Sequence, residues 1–199
     1  MPGQMTLADG VRLRVRPIVP ADREPLADAF DRLSDRSRRQ RFLGPKPRLS
    51  ARELDYLTDV DHVTHEALVA IDETTGEIVG VGRYATGRDG GAGADMALAV
   101  VDPWQRRGIG HGLAVRIVER ARANGITRLT GTALADNLHV RSLLERIGFR
   151  VRSVSAGVVE VELEVPRARP PRRRYRGAPR TSGSSSRELR ASLANTRVR

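Results

Sequence analysis

The stretch from Ala94 to Asn124 constrains the fold more than any other part of the chain. Ala94–Val101 is an almost continuous apolar run and reads as a strand buried on both faces. Asp102 and Pro103 end it. Gly108 to Asn124 then has helical period, with Ile109, Leu113, Ile117 and Ala121 on one face and Arg116, Glu119, Arg120 and Arg122 on others. Asn124-Gly125 supplies the stop. Between strand and helix lies Trp104-Gln105-Arg106-Arg107-Gly108-Ile109-Gly110. A helix start exposes unpaired backbone N–H groups and the positive end of the dipole. Glycines at 108 and 110 admit close approach, and Arg106 and Arg107 add charge. These features describe an anion site suited to phosphate or pyrophosphate. No Gly-Lys-Ser/Thr follows, which excludes a Walker loop, and the third glycine of the dinucleotide fingerprint is missing. Taken alone, Gly108-x-Gly110 reads equally well as a plain tight turn.

The flanking segments set the rest of the architecture. Val11, Leu13 and Val15 alternate with Arg12, Arg14 and Arg16 in strand period, ended by Pro17 and Pro20. Ala21 to Leu33 reads as a helix, Arg36 to Phe42 as a short basic one. Ser50 caps a third, with Glu53 as its capping-box partner. Glu66–Ile71 and Glu77–Tyr84 read as strands joined by a turn at Thr74-Thr75-Gly76, and Gly87–Gly93 as a glycine-rich loop. After the central helix come a strand at Thr127–Ala133 and a helix at Asn137–Ile147. Phe149–Val154 and Val158–Val165 form a last hairpin about Gly157. The order implies an α+β layer fold with a mixed sheet.

The 199 residues carry 35 basic and 24 acidic side chains, a net charge of +11. That excess is local. Residues 166–199 hold 11 arginines against the single acid Glu188, so residues 1–165 are nearly neutral. The tail has no hydrophobic period and reads as disordered. The expected organisation is a leader over 1–10, one domain over 11–165 and an Arg-rich disordered tail over 166–199. With no cysteine in the chain, disulfides, thiol catalysis and Cys-ligated metals are excluded. His62 and His65 have His-x-x-His spacing but no supporting carboxylate pattern, so no metal is expected. No run approaches a membrane span and the N-terminus has no secretory pattern. The chain is expected to be cytoplasmic.

Two motifs now carry a resemblance. Gln105-x-x-Gly108-x-Gly110 after the apolar strand resembles the acyl-CoA signature of the GNAT superfamily of N-acetyltransferases. Asn137, Leu143, Gly148 and Phe149 fit that family's second signature at the proper spacing. The likeness covers residues 11 to about 165. Within the superfamily the chain is similar to the catalytic domain of Pat-type bacterial protein lysine acetyltransferases. The matching stretches include Arg16-Pro17, Arg32-Leu33-Ser34, Arg41-Phe42, Leu57-Thr58-x-Val60-Asp61, Ala67-Leu68-Val69-Ala70 and Val100-x-Asp102-x-Trp104-Gln105.

The resemblance implies a GNAT fold: a mostly antiparallel sheet of about seven strands flanked by helices, splayed between the fourth and fifth strands (Ala94–Val101 and Thr127–Ala133). It implies acetyl-CoA as co-substrate, wedged into that opening, with no metal. Val100 would hold the pantetheine arm through its backbone, aided by Gln105, and Asn137 would lie beside it. Arg106, Arg107, Gly108, Ile109, Gly110 and His111 would hold the pyrophosphate by backbone N–H groups. The general base of Pat-like enzymes falls on Asp95, with Glu66 on the neighbouring strand as the second candidate. The tyrosine that serves many GNAT enzymes as general acid is replaced by Leu144; Tyr84 and Tyr56 are minor candidates. The expected acceptor is a primary amine, first of all a protein lysine. The alternatives are a small-molecule amine such as a polyamine or aminoglycoside, or a non-catalytic acyl-CoA-binding module whose tail docks on nucleic acid. The cluster Arg36, Arg38, Arg39 and Arg41 is read as a solvated helix face, with attraction of an acidic surface or the adenosine phosphate as its alternative.

Overall fold

A computed structural model describes residues 3–87 and 91–166. The tail expected from residue 166 onward therefore lies, but for Pro166, outside the described residues. So do Met1, Pro2 and residues 88–90 of the glycine-rich loop.

Eight strands form one sheet in the order β1-β2-β3-β4-β5-β6-β8-β7. They are β1 (Gly3–Thr6), β2 (Arg12–Pro17), β3 (His65–Asp72), β4 (Ile78–Thr86), β5 (Gly93–Val100), β6 (Arg128–Leu134), β7 (Arg150–Ser155) and β8 (Val158–Glu164). The strand beyond the seven expected is β1, which pairs Gly3–Thr6 with Arg12–Val15 inside the stretch read as a leader. Five helices join them: α1 (Arg23–Asp31), α2 (Asp35–Phe42), α3 (Ala51–Thr58), α4 (Ile109–Ala123) and α5 (Leu138–Ile147). The helix expected from Ala21 begins only at Arg23, because Pro20–Asp22 form a separate 3-10 turn. Asp22 is fixed there by a bidentate ion pair to Arg16 (2.6 and 2.7 Å) and by accepting from the Val19 N–H (2.9 Å). The α3 capping box forms as expected. Ser50 Oγ accepts from the Glu53 N–H, and Glu53 Oε2 accepts from the Ser50 N–H at 2.9 Å.

Each face of the sheet is covered by its own apolar layer. Helix α4 lies on one face, where Leu113, Ile117 and Ala121 meet Leu68, Ala70 and Val79. On the other, Leu26 and Ala29 of α1 and Leu54 of α3 meet Ala67, Val69 and Ile71. Side chains alternate across β3, which sends even-numbered residues to the α4 face and odd-numbered residues to the α1–α3 face. The fully buried Ile109, Leu113 and Ile117 contribute about 1.5–3 kcal/mol each. Helix α4 sits unusually close to β4 because that strand carries Gly80 and Gly82. A Cβ on Gly82 would come within 3.0–3.2 Å of Leu98, Leu113 and Ile117. This tight seat fixes the N-terminus of α4 beside the end of β5.

All strand pairs are antiparallel except β5–β6, which are parallel and paired only over Gly93↔Arg128, Ala94↔Leu129 and Asp95↔Thr130. Past Asp95 the two strands part, at the expected place. The expectation that Ala94–Val101 is buried on both faces is thereby corrected. Ala94 and Met96 are buried, but Ala97–Val100 are only partly covered, because they line the opening.

Candidate active site

The parting of β5 and β6 creates a cleft of about 770 Å³. One wall is β5 from Met96 to Val100, with the turn after it and the first residues of α4. The other is β6 from Gly131 to Ala133 together with α5. Beyond Asp95, the side of β5 that faces β6 has no strand partner, so its N–H groups are open to a ligand, while Val100 O accepts from Gln105 Nε2.

The turn at the end of β5 has the geometry of an anion nest. Trp104 and Gln105 donate their N–H groups to Val101 and Asp102, and Gly112 is the next residue whose N–H finds a backbone carbonyl, Gly108 O at 3.0 Å. Among the described residues the N–H groups of Arg106 to His111 have no protein acceptor. Six such donors in succession, at the start of a 15-residue helix, suit phosphate oxygens. Two positive φ values, +60° at Arg106 and +91° at Gly108, turn the chain so that the donors converge. Four arginines, Arg36, Arg41, Arg106 and Arg146, line the same cleft, together with His111 and His139. Its one carboxylate, Asp102, is already occupied. Asp102 accepts from the Ser34 N–H (3.0 Å), Ser34 Oγ (2.7 Å) and Ser37 Oγ (2.9 Å).

The residues expected to hold the cofactor divide into three groups. Arg106, Gly108, Gly110 and His111 face the cleft. Arg107 and Ile109 offer only their N–H groups: the Arg107 guanidinium stacks on Trp104 at 4.4 Å and pairs with Asp9, while Ile109 is buried under α4. Val100, Gln105 and Asn137 line the cleft but use polar atoms to hold the protein's own structure. Gln105 Nε2 donates to Val100 O and to Ser37 Oγ, both at 3.0 Å. Asn137 Oδ1 caps α5 by accepting from the Val140 N–H. Asp102 and Gln105 thus clasp the start of α2 to the anion turn. Asp102→Ala is expected to release α2 and raise the KM for the acyl donor about tenfold, with a smaller change in kcat. Steady-state kinetics checks this, and an unchanged KM removes the clasp from the account.

Asp95 occupies the last paired position before the strands part and does not itself line the cleft. It is exposed and accepts a hydrogen bond from Thr130 Oγ1. Strand alternation puts it on the face of Ala97 and Ala99, towards α1–α3. Glu66 is elsewhere, which corrects the expectation of a neighbouring strand. Strand β4 lies between β3 and β5, Glu66 is fully buried on the α4 face, and it does not line the cleft. Its Oε1 accepts from the Ala67 N–H (3.0 Å) and contacts His62 Nδ1 (2.7 Å), and Arg120 Nε lies 3.6 Å from Oε2. Glu66 is thus the centre of a buried charge network. The two tyrosines among the described residues are also outside the cleft. Tyr84 OH donates to Val63 O and accepts from Asn124 Nδ2, and burial pushes its pKa up. Tyr56 stacks on His65. Leu144, at the position expected to replace a general-acid tyrosine, lines the cleft.

His62 and His65 turn to different partners, Glu66 and Arg83. Burial, then the adjacent Arg83, holds His65 at about 4, below its ordinary 6.5. In the unfolded chain His65 takes up a proton that the folded state resists, so stability falls as pH drops through about 6.5 and the loss is complete near 4. His65 is partly buried, and solvent screening limits the loss to about 1–2 kcal/mol. Urea midpoints between pH 6.5 and 4.5 should fall for the native chain and stay flatter for His65→Gln, which keeps an acceptor for Arg83. Equal slopes would exclude His65 as the cause.

An open α+β sheet split at one parallel pair, with an anion nest at the end of the split strand, is the arrangement expected of an acyltransferase that draws on acyl-CoA. The family model for GNAT acetyltransferases matches residues 30–149, and the chain belongs to this family of N-acetyltransferases. It is 33% identical over 146 residues to acetyltransferase PA5475 of Pseudomonas aeruginosa, covering 72% of this chain and 78% of that one. To the acetyltransferase Pat of Mycolicibacterium smegmatis it is 28% identical over 152 residues, 76% of this chain but 45% of that longer protein. Among solved structures, the GNAT domain of S. lividans PAT superposes with a TM-score of 0.76 at 33% identity, covering 82% of this chain and 96% of that one. The yncA protein of Salmonella typhimurium, solved with acetyl-CoA, shares the fold at a TM-score of 0.64, with 15% identity over 80% of this chain and 97% of that one. Among the described residues no helix is long and apolar enough to cross a membrane.

Proposed function

We propose that the chain transfers an acetyl group from acetyl-CoA directly to a primary amine, and that the amine belongs to a protein lysine. The observation that carries this reading is the cleft itself. Six unpartnered N–H groups stand at one end, and an exposed carboxylate, Asp95, stands just outside the lining, at the last paired position before β5 and β6 part. The charge of the cleft supports a pyrophosphate-bearing donor, and the apolar residues of β5 suit the donor's aliphatic arm. The likeness to Pat supports the lysine acceptor.

An amine of ordinary pKa near 10.4 is only about 0.04% neutral at pH 7. Asp95, directly or through one water, takes the ammonium proton and supplies the neutral amine. A backbone N–H on the free side of β5 polarises the thioester carbonyl as the amine adds. No general acid is required of the protein, because a thiolate with a pKa near 8.5 is a good leaving group.

A thiol-release assay with acetyl-CoA against a lysine peptide, a polyamine and an aminoglycoside tests the reading. Turnover highest with the peptide is expected. Turnover only with a small amine moves the acceptor class. Cofactor binding without turnover on any amine leaves a non-catalytic acyl-CoA-binding module.

A further inference from the structure

A second, smaller cavity of about 60 Å³ lies beneath α1–α3, on the face of the sheet that carries Asp95. It opens onto the cleft, since Leu33, Arg41, Ala97 and Ala99 line both. Its walls are apolar, among them Phe30, Phe42 and Leu57, yet two arginines line it, Arg41 and Arg83. Arg83 is only 7% exposed and is the cross-strand partner of Ala97. It donates to Leu57 O (3.1 Å) in the last turn of α3, which offsets part of its charge, and to His65 Nε2 (2.5 Å). Among the described residues no carboxylate lies within ion-pair distance of either arginine. Asp61, the acid that acts on His65, is held by the N–H groups of Val63, Thr64 and His65. Burial lowers the pKa of both arginines, Arg83 to about 10, and their mutual repulsion adds to the effect at Arg83. A buried Arg83 and a partly buried Arg41 without a counter-ion are costly unless a ligand neutralises them.

The geometry points to a carboxylate-binding subsite for the acyl group, so that the enzyme accepts a short dicarboxylic acyl thioester of the malonyl or succinyl class beside acetyl-CoA. Three features favour an acyl tail as the source of the carboxylate. The cavity meets β5 at Ala97, two residues from Asp95 and just past the point where β5 and β6 part. A water needs about 10–15 Å³ by this measure, so the space takes roughly four to six heavy atoms, the size of a carboxyethyl tail and too small for a peptide segment. A planar guanidinium is the side chain best matched to a carboxylate, and that of Arg41, stacked 4.9 Å from the centre of the Phe42 ring, has no ion-pair partner among the described residues. This inference rests on the acetyltransferase reading above, because the tail arrives only on a CoA thioester seated in the cleft.

Equilibrium binding to the full chain tests it without knowledge of the acceptor. The probes are the stable thioethers S-(3-carboxypropyl)-CoA and S-butyl-CoA, alike but for the carboxylate, with acetyl-CoA as reference. The native protein is expected to bind the carboxypropyl compound about tenfold more tightly than the butyl one. Arg41→Met should erase or reverse that preference, and Arg41→Lys should keep part of it. A native protein that prefers the butyl compound overturns the inference, and this comparison needs no variant to fold. An Arg41→Met variant with a native melting temperature and an unchanged preference overturns it too. If acetyl-CoA itself fails to bind, the cofactor reading falls; if acetyl-CoA binds and the carboxypropyl compound is rejected, only the subsite falls. In that last case, a KM for an acidic-flanked lysine peptide that rises in Arg41→Met would assign the carboxylate to the acceptor.

Discussion

Asp95→Asn is expected to lower kcat about 10²- to 10⁴-fold while the affinity for acetyl-CoA stays within about threefold, the signature of a lost general base. Asparagine preserves the shape of the side chain and can still accept from Thr130 Oγ1, so the strand junction should survive. It cannot hold the ammonium proton. The acidic limb of the pH–rate profile should therefore vanish with it, and Asp95→Glu should restore part of the rate. The contrast is Glu66→Gln. Glu66 is fully buried between His62 and Arg120 on the far face of the sheet. Neutralising it removes the counter-charge of Arg120 and weakens the contact with His62, at a cost of about 1–3 kcal/mol in stability. Chemical denaturation and turnover on the two variants separate the roles. Full activity in Asp95→Asn together with loss in a folded Glu66→Gln would move the base to Glu66.

What the sequence discloses about this molecule is mostly local. The capping box of Ser50 and Glu53 spans three residues, and the seam between β5 and α4 is a continuous stretch with opposite periods on its two sides. Such signals are complete within a short window. Strand β1 has only four residues and no period to find, and it forms because β2 offers it an edge. The apolar run over Ala94–Val101 looks the same whether protein or an aliphatic ligand covers it, so its partial exposure is a property of the split from β6. Glu66 and Asp95 are both carboxylates on strands, and hydropathy alone does not say that two strands of register place them on opposite faces. The clasp of Asp102 on Ser34 and Ser37 joins residues 65 to 68 positions apart. The pairing of Arg41 with Arg83 across a cavity is likewise tertiary: in sequence Arg41 is one of several arginines on a basic helix. That helix divides in the fold. Arg38 is spent on Pro47 O, Asp31 O and the ring of Phe30, whereas Arg36 and Arg41 face the cleft.

The second large effect concerns the anion turn. Gly108→Asp and Gly110→Asp should each weaken acetyl-CoA binding by at least about 10²-fold, since a carboxylate placed among the donors repels the phosphates they would bind. The alanine variants separate charge from shape. A Cβ on Gly110 would stay at ordinary contact distance, 3.4 Å from Leu143 and 3.9 Å from Val100, and a Cβ on Gly108 would meet nothing within 4 Å. Gly110→Ala should therefore bind nearly as the native chain does. Gly108→Ala carries the strain of φ +91°, about 1–2 kcal/mol for an L-residue, and should lose affinity less than tenfold if the turn keeps its form. Calorimetric titration at two salt concentrations gives the readout. Native affinity should weaken as salt rises, because four arginines line the cleft and salt screens their pull on the phosphates. Aspartate variants that melt like the native protein and keep its affinity would show that the six N–H groups do not bind the donor. The donor would then have to be held by the side-chain cations, and the salt dependence would steepen accordingly.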